Sequence, residues 1–101
     1  MTMKNDSSIE LGENAYYDRH ADIFRIPISG HKQFAALVIA RDAPLPLTHL
    51  SVDEHKRATP LGANLRDHLQ AEVKAALSRG AHQVATGIAL KTHEELKEID
   101  A

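Results

Sequence analysis

Residues 59–80 read Thr59-Pro-Leu-Gly-Ala-Asn-Leu-Arg-Asp-His-Leu-Gln-Ala-Glu-Val-Lys-Ala-Ala-Leu-Ser-Arg-Gly80. Leu61, Leu65, Leu69, Val73 and Leu77 recur every fourth residue, with Ala76 beside them. That is the apolar stripe of an amphipathic helix. Thr59 suits an N-cap, and Pro60 suits the first helical position, where a missing N–H costs nothing. Arg79 complements the negative pole of the helix dipole, and Gly80 can take the left-handed conformation that ends a helix. Gly62 is the weak point, because glycine costs about 1 kcal/mol against alanine inside a helix. The spacing therefore predicts one long helix over about 60–79. Its outer face, with Asn64, Arg66, Asp67, Gln70, Lys74 and Ser78, mixes both charge signs and reads as solvated.

Upstream, Asp22 to Ser29 places Phe24, Ile26 and Ile28 on one side, against Ile23, Arg25 and Pro27 on the other. This is a half-buried strand, and Pro27, which cannot donate to a ladder, predicts an edge position or an outward-turned site. Ser29-Gly30-His31-Lys32 reads as a hairpin turn into Gln33 to Ala40, an apolar run fitting an inner strand. The two prolines of Ala43 to Leu47 predict an extended connection, and Ser51 with Glu54 matches a capping box opening a short helix over Val52 to Arg57. Beyond Gly80, His82 to Lys91 alternates Val84, Thr86, Ile88 and Leu90 with the small residues Ala85, Gly87 and Ala89. The pattern predicts a third strand whose small face admits close approach of another backbone, such as a second subunit. Thr92 and Glu95 form a second capping box, starting a last helical turn with Leu96 and Ile99 inward.

The predicted fold is α+β, a three-stranded, mainly antiparallel sheet with the long helix on one face. Met1 to about Asn14 is polar, with only Ile9 and Leu11 scattered through it, and predicts a mobile arm ahead of a single domain over 15–101. Aromatic residues make up 4% of the 101, and tryptophan is absent, so the core must be aliphatic. Such a thin core makes a homodimer an attractive way to enlarge it.

Composition excludes several functions. A net charge of −2 argues against nucleic-acid or anionic-membrane binding, which needs clustered Lys and Arg. Without cysteine there is no disulfide, thiolate nucleophile or zinc–sulfur site. Met1 to Glu10 lacks a basic and an apolar region in series, and Phe34 to Ala40 is too short to span a bilayer. The expectation is a cytoplasmic protein that needs no cofactor.

Seven histidines are the feature that invites a site. They stand at 20, 31, 49, 55, 68, 82 and 93, and no pair has ligand spacing on a helix or strand. Asp18, His20 and Asp22 would share one face of an extended chain, a solvated entry to the first strand. A metal or acid–base site would need His20, His49 and His55 brought together by folding. Ser29 lacks the elbow of a hydrolase, and the glycines form neither a P-loop nor a dinucleotide fingerprint. The sequence thus points to a non-enzymatic protein-interaction or small-ligand module, with a histidine-based site in a small enzyme as the alternative.

Three segments carry a resemblance: Phe24 to Ala40, Val73 to Gly80, and Ile88 to Leu96. In them the chain resembles a family of short uncharacterised bacterial proteins, a domain of unknown function. Those proteins run as a hairpin, a helix ending Arg-Gly and a closing strand. The resemblance implies a fold and no activity, so it assigns no residue a role.

Overall fold

The computed structural model describes residues 9–41 and 58–100. Among these residues, seven strands and two helices follow in order. They are β1 (Glu10–Leu11), β2 (Asn14–Asp18), β3 (Ile23–Ser29), β4 (Phe34–Ala40), β5 (Ala58–Pro60), α1 (Ala63–Ser78), β6 (Gln83–Ala85), β7 (Ile88–Thr92) and α2 (His93–Asp100). The sheet order is β5-β2-β3-β4-β7-β6, every pair antiparallel, with β1 also on β3.

This corrects the three-stranded sheet with a single helix: among the described residues the sheet has six strand positions, and two helices accompany it. The second position is shared, because β1 and β2 are two pieces of one strand beside β3. Leu11 faces Ile28 whereas Tyr16 faces Arg25, so the paired numbers sum to 39 and then to 41. Two extra residues are thus accommodated between them. The break falls opposite Pro27, which has no N–H to offer; Gly12 donates instead to the Pro27 carbonyl at 2.8 Å. A Cβ on Gly12 would stand 3.4 Å from both Pro27 Cδ and Pro27 O, in van der Waals contact with the proline ring. Pro27 therefore does not place β3 at an edge. The irregularity lies in the neighbouring strand.

The turn between β2 and β3 spans residues 19–22, and Gly30 (φ 83°) begins the connection from β3 to β4. In the sequence β6 and β7 read as one strand because the alternation runs through Thr86-Gly87. Those two residues instead form a turn, with Gly87 at φ 77°, and the segment folds back as a hairpin. Ala85 consequently packs against the core and Ala89 faces the other way, so the expected continuous small-residue face does not form.

Two rows of cross-strand neighbours build the core: Tyr17–Phe24–Ile39–Ile88 and Ile26–Leu37–Leu90. Leu69, Val73 and Ala76 of α1 are buried against this cluster, with Leu65 and Leu77 packed beside them. Burying side chains of this size stabilises by about 1.5–3 kcal/mol each. The opposite face carries the row Tyr16–Arg25–Val38–Ala89, and α2 contacts β7 and β4. β4 is inner, as its apolar run predicts, with Ala36 to Ile39 all buried.

The helix itself is shorter at its start than its stripe implies. Thr59 and Pro60 belong to β5, not to the cap, and the helix begins at Ala63 with extended Gly62 as N-cap. Glycine thus lies outside the helix, where it carries no penalty. At the far end Gly80 (φ 71°) donates to Leu77 O at 3.0 Å, and Ala81 to Ala76 O at 2.9 Å. These two bonds are the paired closure of a Schellman motif. The second capping box forms as read: Thr92 N–H donates to Glu95 Oε1 at 2.9 Å, and Glu95 N–H to Thr92 Oγ1 at 3.2 Å.

The predicted arm lies mostly outside the described residues. Its described part contributes β1, with Ile9 and Leu11 in the core. The proline connection and the short helix over Val52 to Arg57 also lie outside them. Among the described residues, no helix is long and apolar enough to cross a membrane.

Candidate functional site

α1 leaves the β5 edge of the sheet and delivers the chain to the β6 edge. A cleft of about 360 Å³ opens where it begins, lined by Glu13, Asn14, Pro60, Leu61, Ala63, Arg66 and Asp67. Its floor is fixed by strand pairing. Asn14 faces Pro60, Ala15 faces Thr59, and Leu61 N–H donates to the Glu13 carbonyl at 2.8 Å, one residue past the β5 ladder. Its wall is the start of α1, where Arg66 N–H donates to the Gly62 carbonyl at 2.9 Å.

Arg66 also ties the helix to the sheet. Its Nε and Nη2 donate to the Leu11 carbonyl at 3.1 and 2.8 Å, while Leu11 N–H donates to Gln70 Oε1 at 3.2 Å. Two helix side chains thus replace the strand that β1 lacks on its outer edge. Arg66 and Gln70 are half-buried on this account, which corrects the wholly solvated outer face read from the sequence. Around the cleft the polar groups are otherwise uncommitted. The side chains of Glu13, Asn14 and Asp67 make no hydrogen bond or ion pair with another described residue, and Arg66 Nη1 has no acceptor among them. One cation, two anions and an amide thus surround one concave space with an apolar wall of Pro60, Leu61 and Ala63.

A second polar group sits at the β2–β3 turn. Asp18 Oδ1 accepts from His20 N–H at 2.9 Å and Ala21 N–H at 3.2 Å, while Oδ2 accepts from Arg25 Nη2 at 2.6 Å. Partial burial pushes the Asp18 carboxyl up, but the bonds from Ala21, Arg25 and His20 outweigh it and hold it below the usual range. The Tyr17 hydroxyl donates to Asp22 Oδ1 at 2.5 Å, which raises the Tyr17 pKa, and Arg41 Nη1 lies 3.6 Å from the same oxygen. Asp22 takes φ 56°, the left-handed position that completes this turn. Every carboxylate here serves the turn. Of the histidines proposed as ligands, His20 is exposed on it, and His49 and His55 lie outside the described residues. Among the described residues, no three His, Asp or Glu side chains converge as metal ligands.

A third group flanks Phe34, with the His31 ring at 5.1 Å and the His82 ring edge-on at 4.9 Å between centroids. His31 Nδ1 accepts from Gln33 N–H at 3.0 Å and Phe34 N–H at 3.3 Å, locking the β3–β4 turn. Nearby, the Thr92 N–H bond holds the Glu95 carboxyl below its ordinary range. These contacts are packing and capping.

Sequence reasoning missed Glu13, Asn14, Arg66 and Asp67 as neighbours. About fifty residues separate the two pairs, and only the β2–β5 ladder joins them. No protein-family model matches the chain, and no curated protein or solved structure matches it. The resemblance to short bacterial proteins accordingly rests on the three segments quoted for it.

Proposed function

We propose that this chain is a non-enzymatic binding module whose cleft at the β5–α1 junction takes a small polar ligand. The observation that carries this reading is the cleft, where charged and amide groups of both polarities face one space beside an apolar wall. Ligand sites are typically concave, with apolar lining and a few convergent polar groups, over about 300–1,000 Å³. The cleft falls at the small end of that range. Its floor and wall are already pinned, by the Leu61–Glu13 and Arg66–Leu11 bonds, so binding would require little ordering.

The test is an amide-resolved NMR screen of the labelled protein against a library of small polar compounds. Compounds that bind should move the amide signals of Asn14, Leu61, Ala63, Arg66 and Asp67 together. A screen whose hits all move signals elsewhere, or which yields none at the cleft, would remove this function.

A further inference from the structure

We infer that the cleft accepts a small zwitterion, a molecule with an ammonium and a carboxylate on one carbon and a short aliphatic side chain. This rests on the cleft being the binding site. The charge pattern argues for the class. Glu13 and Asp67 present carboxylates without partners among the described residues, and Arg66 retains its Nη1 hydrogens on the same lining. A purely anionic ligand would meet two like charges for one cation, and a purely cationic ligand would leave the guanidinium unanswered. A zwitterion answers both signs, and charge-assisted hydrogen bonds of this kind are about twice as strong as neutral ones. The apolar wall of Pro60, Leu61 and Ala63 is short and carries no aromatic ring, which matches a short aliphatic side chain, and a volume of about 360 Å³ leaves room for it.

Arg66 is committed to the Leu11 carbonyl, so its replacement would confound binding with folding. Asp67 and Glu13 are exposed and make no such bond, and they carry the test. Labelled protein is titrated with L-valine, with L-valine methyl ester, which keeps only the ammonium, and with N-acetyl-L-valine, which keeps only the carboxylate. Valine should move the cleft amides and bind about tenfold more tightly than either blocked compound, the loss of roughly one charge-assisted contact. Asp67→Asn, and independently Glu13→Gln, should weaken valine and its ester while binding N-acetylvaline no more weakly than the parent protein does, since each removes a like charge from its carboxylate. If a blocked compound binds the cleft as tightly as valine, the zwitterion is overturned while the cleft stands as a binding site. If none of the three moves the cleft signals, the zwitterion is overturned and the compound library decides the cleft separately.

Discussion

Asp18 uses both carboxylate oxygens to hold the β2–β3 turn, one for two backbone N–H groups and one for Arg25. Its folded pKa lies below the ordinary value, so its contribution is fully present above the unfolded pKa of about 3.9 and is lost as pH falls through the lower folded value. Asp18→Asn keeps an oxygen for the turn but turns an amide toward Arg25. At pH 7 the variant should lose about 1 kcal/mol in urea unfolding, as expected for a partly screened ion pair. The gap from the parent protein should close on acidification below pH 3.9. A gap that does not narrow as the pH falls below 3.9 would show that the carboxylate is not its source. Pro27 shows the same dependence on a single residue, since the break between β1 and β2 falls opposite its missing N–H.

Among the elements, α1 covers the sheet with the buried side chains of Leu69, Val73 and Ala76. Leu69 is 1% exposed in the middle of its buried stripe. Leu69→Ala should cost about 2–5 kcal/mol by denaturant unfolding, and a smaller loss would mean that the stripe is not the core. The stripe was legible because its period is local, as were the Schellman glycine and the Thr92–Glu95 box, which need only neighbours in sequence. The β3–β4 hairpin was legible for the same reason. The start of α1 was not. Thr59-Pro60 suits a helix N-terminus on local grounds, yet pairing with β2 draws both residues into a strand. β1 and β2 were hidden by polar composition: only Ile9, Leu11, Ala15 and Tyr17 face the core, too few to mark a strand without the sheet that receives them. The β6–β7 turn was hidden by an alternation that continues unbroken through Thr86-Gly87. The cleft was illegible for the reason β5 was, because its two halves meet only through that long-range ladder.

The whole molecule is organised by the path of α1 from one sheet edge to the other. β5 fixes where the helix begins, Arg66 and Gln70 fix how it lies against β1, and the cleft is the space left between these constraints. Ligand binding at that space is the claim on which the functional account rests. Ala63 lines it, is exposed, and stands at the first helical position, so Ala63→Trp should fill the cleft without disturbing the core. Its unfolding free energy should stay within about 0.5 kcal/mol of the parent protein. The decisive measurement repeats the NMR titrations on this variant with every compound that moves the cleft amides of the parent. The account predicts that binding is lost for all of them, and unchanged binding in a folded Ala63→Trp protein would contradict it.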